Sequence, residues 1–307
     1  MNVFQFITKN KFLIYISILL LLVTTELYLR YFQGFCDAPL FIPSNSYEYI
    51  AAPNQEGVRF GNKYYYNSFS QRSQEPDYSK KIILGLGDSV LNGGTLTDQS
   101  DLATTIFNNQ NPNFQILNIS AGSWGPDNVS EYIKLHGYFK AGSFLLFVSS
   151  HDAFDIMTFE KVVGIHNSYP NKQYFFAINE LFDRYLVPKF NYLFNKRSKL
   201  DPDERVVNGK NIRKKGGYFN TGFDSLNNIS DSLSIPLYIY LHADQSELKN
   251  GKYNDQGRMI IDWAKNNNIN IFQDIDIIEN TDYRDGIHLN EKGQSKMLQF
   301  INNVVKQ

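Results

Sequence analysis

The sequence predicts an α/β domain on a central parallel sheet, preceded by a membrane-spanning helix and interrupted by a helical insertion. Three observations carry this reading. From residue 81 onward, short apolar runs alternate with helical patterns, which implies parallel strands joined by right-handed crossovers. Residues 12–32, FLIYISILLLLVTTELYLRYF, have the length of about 20 residues that a bilayer-spanning helix needs. Between about 153 and 232 the alternation stops and apolar residues recur at helical spacing.

Composition excludes several classes. The 307 residues are 42% hydrophobic and 20% charged, so the chain is globular and large enough for one big domain or two modest ones. A formal net charge of -1 offers no global attraction for nucleic acid, and that partner is excluded. Cys36 is the single cysteine, so there is no internal disulfide and no cysteine-rich zinc site. The sequons at Asn118, Asn128 and Asn228 follow from the abundance of asparagine and carry no weight.

At the amino end, Lys9 and Lys11 precede the apolar run, which places residues 1–11 in the cytoplasm and exports the rest to a periplasmic or other extracytoplasmic compartment. Glu26 and Arg30 share a helix face, can pair, and can snorkel to the outer interface beside Tyr28, Tyr31 and Phe32. Cleavage as a signal peptide is disfavoured. The small-residue spacing of Cys36 and Ala38 is followed by Pro39, and Phe35 before the cysteine spoils a lipoprotein signal.

Residues 33–80, rich in Pro, Asn, Ser and Tyr, read as an extended neck with short strands. The domain of residues 81–307 then opens with a strand at 81–87, a helix at 100–110 capped by Ser100, and a strand at 114–120. A helix at 126–139 has Pro126 in its first turn, and a strand at 143–150 follows. In the insertion, Phe175, Ile178, Leu181, Phe182 and Tyr185 make a helical stripe. Basic clusters follow at Lys196, Arg197, Lys199 and at Arg213, Lys214, Lys215, either as solvated loops or as a lid for an anionic substrate or membrane surface. The sheet resumes with a strand at 235–242, a helix at 254–267, a strand at 269–273 and a final helix at 290–305.

Chemistry concentrates where strands end. The run ILGLGDSVLNGG (83–94) ends a strand in Gly87-Asp88-Ser89, either as a capped turn or as a nucleophile presented at the carboxyl edge of the sheet. Gly87 is expected to supply an unusual backbone angle there. In DYRDGIHLNEKG, Asp285 lies three residues before His288, close enough for the carboxylate to set the imidazole tautomer. That loop also follows a strand, so Ser89, His288 and Asp285 can converge. His136 and His166 read as surface residues and His242 as core or rim. No histidine pair has metal-site spacing and no phosphate-binding loop is present, so neither metal nor cofactor is expected.

GLGDSV, the glycine of LNISAGSWGPDN, SSHDAFD and DGIHLNEKG, in this order, resemble the four blocks of the SGNH, or GDSL, hydrolase superfamily. ELYLR and NSFSQR (67–72) are similar to elements of its membrane-anchored bacterial members. The resemblance implies a flavodoxin-like three-layer sandwich, with Ser89 as nucleophile, His288 as general base and then acid, and Asp285 as its orienting carboxylate. It also implies an oxyanion hole of the Ser89 and Gly122 N–H groups plus a third donor, usually an asparagine in Gly-x-Asn-Asp. The matching residues are Ser149, Ser150, His151 and Asp152, so His151 stands at the donor's place. The implied function is a membrane-anchored serine esterase acting on an acylated small molecule, glycan or lipid, for example deacetylating a cell-envelope polysaccharide. The alternatives are an O-acyltransferase using the same triad and a non-catalytic glycan-binding or scaffold protein.

Overall fold

The computed structural model describes residues 10–194, 206–207, 210–211 and 216–305. Helix α1 (Lys11–Tyr31) stands out from the body with nearly all its apolar side chains exposed. Two antiparallel hairpins follow, β1 (Phe41–Ser44) with β2 (Glu48–Ala51) and β3 (Gln55–Arg59) with β4 (Asn62–Tyr66). Although no regular sheet joins them to the domain, they are not an outlying neck. Tyr47, Tyr49 and Ile50 are buried in the main core, and Trp124 donates its indole N–H to the Tyr49 carbonyl at 2.8 Å.

The central sheet begins with β5 (Lys81–Gly87), the short helix α2 (Ser89–Asn92), α3 (Ala103–Gln110), β6 (Phe114–Ser120), α4 (Pro126–His136) and β7 (Ser143–Ser149). Next come α5 (Ala177–Leu181), a π-turn at Phe182–Leu186, α6 (Val187–Phe194), and the small pair β8 (Val206–Val207) and β9 (Lys210–Asn211). The domain closes with α7 (Gly222–Leu233), β10 (Leu237–His242), α8 (Gln245–Asn250), α9 (Asp255–Asn266), β11 (Asn270–Gln273) and α10 (Glu291–Val305). The five sheet strands run parallel in the order β11-β10-β7-β5-β6. Numbered within the sheet this is the flavodoxin-like 2-1-3-4-5 arrangement, whose strand order reverses between β5 and β7.

Period-two alternation sends side chains to two cores. Ile82, Leu84 and Leu86 of β5 join Phe144, Leu146 and Val148 of β7 under α4, α7 and α9. Ile83 of β5 and Leu145 and Phe147 of β7 point the other way, against Phe107 of α3 and Met297 and Ile301 of α10. The result is a three-layer sandwich with strands buried on both faces, as parallel sheets require.

Three sequence expectations shift. Ser100 does not cap the first long helix. Asp98 Oδ1 instead accepts the Ser100 N–H at 2.9 Å, holding a 3₁₀ turn at Gln99–Asp101, and α3 starts at Ala103. The next helix stops at His136 because Gly137 adopts φ 83°. The insertion ends sooner than residue 232, since α7 is the crossover helix between β7 and β10 and packs on α4. A Cβ on Gly222 would lie 1.9 Å from the Asp127 amide nitrogen, so this approach needs glycine. The two basic clusters around 196–199 and 213–215 fall outside the described residues.

Candidate active site

β5 delivers the candidate nucleophile to the point where the strand order reverses. Gly87 does so through close packing rather than a left-handed angle: a Cβ there would meet the Phe147 carbonyl oxygen of β7 at 2.8 Å. Asp88 then caps α2, its Oδ1 accepting the Val90 N–H at 2.8 Å, and Ser89 becomes the first helical residue. An N–H at that position has no acceptor within the helix. Gly93 at φ 74° ends the turn.

The carbonyls after α2 are gathered by one cation. Arg72, fully buried, donates from its guanidinium to the carbonyls of Asn92, Gly94 and Thr97. Asn67 Oδ1 accepts the N–H groups of Phe69 and Gln71, shaping the turn that supplies Arg72. The NSFSQR element thus braces the loop behind Ser89.

His288 arrives from the loop before α10. Its Nε2 lies 3.0 Å from Ser89 Oγ, and its Nδ1 lies 2.8 Å from Asp285 Oδ2. Asp285 Oδ1 accepts the N–H groups of Ile287 and His288 at 3.0 and 2.8 Å. Partial burial raises the Asp285 pKa, but these two N–H groups and the imidazole outweigh it and hold the carboxyl at about 2. An ionised Asp285 makes Nδ1 the protonated nitrogen and leaves Nε2 to accept the serine proton.

The loop is pinned from beneath. His242, at the end of β10 and buried, is held by Asp274 Oδ2 at 2.5 Å from Nδ1 and by the Ile287 carbonyl at 2.7 Å from Nε2. The Ile287 carbonyl can only accept, so Nε2 is a donor, and the Asp274 carboxyl beside Nδ1 favours the charged ring. Burial alone would lower its pKa; Asp274 more than reverses this, and the net shift is upward. Asp274 also accepts from the Tyr240 hydroxyl at 2.9 Å and the Ala243 N–H at 2.8 Å.

Ser89 and His288 open into a cleft of about 420 Å³. The neck lends Phe41, Phe60 and Tyr66 to its walls, and the insertion lends Tyr169, Arg184 and Tyr185. Gly122 lines it too, its carbonyl held by the hydroxyls of Tyr49 and Tyr169 at 3.0 and 2.8 Å.

Solved structures of G-D-S-L lipolytic proteins and esterases are similar to this chain. One, a lipolytic protein of the G-D-S-L family from Desulfitobacterium hafniense, is 10% identical, with a TM-score of 0.41 over 73% of this chain and 99% of its own. The psychrotrophic esterase EstA from Pseudoalteromonas is 12% identical, with a TM-score of 0.41 over 74% of this chain and 100% of its own. A carbohydrate acetylesterase from Sinorhizobium meliloti is 12% identical, with a TM-score of 0.38 over 74% and 99%. No family model and no curated protein matches the chain.

Ser89, His288, Asp285 and Gly122 share the cleft, whereas His151 is not among its lining residues. Its Nε2 faces Asp88 Oδ2, Asp152 Oδ1 and Asp155 Oδ2 at 3.9, 3.8 and 3.9 Å. Asp152 Oδ2 accepts the Ser149 N–H at 2.7 Å and keeps the turn in place. Burial pushes the Asp152 carboxyl well above its ordinary range. Asp88, His151 and Asp152 bring one ligand atom each within 4.8 Å of one another, the donor set among the described residues that a divalent cation could use. His166, expected at the surface, is buried, its Nδ1 accepting the Ser168 N–H at 3.0 Å. The bracing roles of Arg72 and His242 escape sequence reasoning because Arg72 binds backbone carbonyls, which leave no mark on residue type, and because His242 meets Asp274 and the Ile287 carbonyl only through the tertiary fold.

Proposed function

We propose that this protein is a membrane-anchored serine esterase of the SGNH/GDSL type, acting on an acylated glycan or lipid of the cell envelope. The observation that carries the reading is the unbroken relay from Ser89 Oγ through His288 to an ionised Asp285, opening into a cleft. A serine hydroxyl is a poor nucleophile at neutral pH and needs such a base. In the proposed reaction, Ser89 Oγ attacks the ester carbonyl while His288 Nε2 takes its proton. Asp285 remains a carboxylate and stabilises the imidazolium. The N–H groups of Ser89 and Gly122 face the negative charge that develops on the carbonyl oxygen. His288 next protonates the departing alcohol, and the acyl group stays on Ser89. Water, deprotonated by His288, then releases the acid and restores the serine. Tyrosine rings and Arg184 along the cleft suit a polar, ring-containing alcohol.

The reading is tested by treating the protein with a fluorophosphonate and measuring intact mass beside Ser89→Ala. One adduct per chain, absent from the variant, is expected, together with hydrolysis of a short acyl ester that the variant loses. A folded wild type that takes no label, or equal labelling of both, would overturn it.

A further inference from the structure

The helical insertion carries apolar side chains that the fold leaves uncovered. Phe175, Phe176, Phe182, Val187 and Phe190 are 82%, 51%, 50%, 46% and 53% exposed. Scattered single apolar residues are ordinary on a protein surface, but four exposed phenylalanines within sixteen residues, Phe175 and Phe176 in edge-to-face contact, are a density that calls for a partner.

The identity of that partner follows from what the segment is bonded to. Arg30, at the outer end of α1, donates to the Phe175 carbonyl at 2.7 Å. Glu26, one turn earlier, accepts the N–H groups of Ala177 and Ile178 at 2.8 and 3.0 Å, satisfying donors at the start of α5. Leu29 packs with Ala177 in one small core. The insertion helix is therefore fastened to the last turns of the apolar helix, beside the exposed rings of Tyr28, Tyr31 and Phe32. With α1 spanning the bilayer, those three rings lie at the membrane–water interface, and Phe175 stands at the same depth.

We infer that residues 175–190 form a second membrane contact, lying in the plane of the lipid interface with their phenylalanines in the headgroup–acyl boundary. This inference rests on reading residues 12–32 as a membrane span. The opposite side of the same segment builds the cleft. Glu180, buried, pairs with Arg59 at 2.7 Å and with Arg184 at 2.6 Å, and Arg59, Arg184 and Tyr185 line the cleft. One short segment thus faces lipid on one side and substrate on the other, which holds the cleft at the bilayer surface. The substrate class this favours is an ester borne on a lipid or held in the membrane, rather than one diffusing freely.

The test uses the full chain in lipid nanodiscs of phosphatidylglycerol and phosphatidylcholine, with and without bromine on the upper acyl chain. Phe182→Trp and Phe190→Trp are compared with the wild type, whose Trp124 and Trp263 give the background. Tyr15→Trp, inside the span, reports on the anchor itself. The added fluorescence of Phe182→Trp and Phe190→Trp is expected to fall about twofold with brominated lipid, as that of Tyr15→Trp does. Quenching of Tyr15→Trp alone overturns the second contact and leaves the anchor standing. No quenching in any variant overturns the anchor reading and this inference together. A blue-shifted but unquenched Trp at 182 or 190 overturns it in favour of a protein partner, such as a second copy.

Discussion

At Asp285, one carboxylate does two jobs because its two oxygens have different partners. Oδ1 closes the turn through two N–H groups, while Oδ2 holds the His288 ring. The depressed pKa means that its contribution to stability is fully present above the ordinary carboxylate range and is lost progressively as pH falls from that range through about 2. Acid loss of activity near neutrality therefore belongs to another group. His151 stands where the family resemblance implies an oxyanion donor, and its Nε2 is surrounded by Asp88, Asp152 and Asp155. That nitrogen lies 3.8–3.9 Å from the three carboxyl groups, and with these rather than a substrate oxygen as its partners His151→Ala and His151→Asn should alter turnover of a short acyl ester alike and by less than about tenfold. A loss of about 10² confined to the alanine variant would restore the donor role, since that is what removing one oxyanion donor costs.

At the scale of elements, the loop that carries His288 is no more rigid than its supports. The buried His242 ring, between Asp274 and the Ile287 carbonyl, ties that loop to β10 and to the segment after β11. Its pKa is raised on folding, so its stabilisation is fully present below the unfolded imidazole value and is lost as pH rises through the higher folded value. The thermal midpoint of the wild type should accordingly drop between slightly acid and alkaline pH by more than that of His242→Gln. Differential scanning calorimetry across that range checks this, and parallel profiles would remove His242 as the cause. The variant should also turn over substrate more slowly, because the Ile287 carbonyl loses its donor. Nothing in the sequence around His242 marks this function. A histidine ending a strand is legible, but Asp274 and Ile287 reach it only through the sheet order and the loop path.

Across the whole molecule, the sandwich is closed over its active edge by two segments that are not part of the sheet. Neck and insertion meet at the Arg59–Glu180 pair, each side chain 1% exposed, with the Gly34 carbonyl and the Tyr185 hydroxyl taking further donors of Arg59. Breaking one side of such a pair leaves a buried charge without compensation, at about 3–5 kcal/mol. Glu180→Gln should lower the urea midpoint by a corresponding amount and raise KM more than it lowers kcat, because Glu180 positions Arg59 and Arg184, which line the cleft, without contributing to the Ser89–His288–Asp285 hydrogen bonds. An unchanged midpoint would mean that neck and insertion are held together elsewhere.

The sequence by itself determined the alternation of strands and helices, the apolar helix at the amino end, and the places of Ser89, Asp285 and His288. These are legible because each depends on local patterning: buried parallel strands are apolar runs, a span needs about 20 apolar residues, and the Asp285–His288 contact lies within one turn. Tertiary structure alone decided that Gly87 serves close packing, that α7 belongs to the sandwich rather than to the insertion, and that His151 sits among Asp88, Asp152 and Asp155. It also decided that Arg72 and His242 brace the loops that carry Ser89 and His288 and that the insertion is bonded to the end of the apolar helix. Each of these depends on contacts between residues far apart in the chain, many of them to backbone atoms that every residue possesses, so residue type alone could not reveal them.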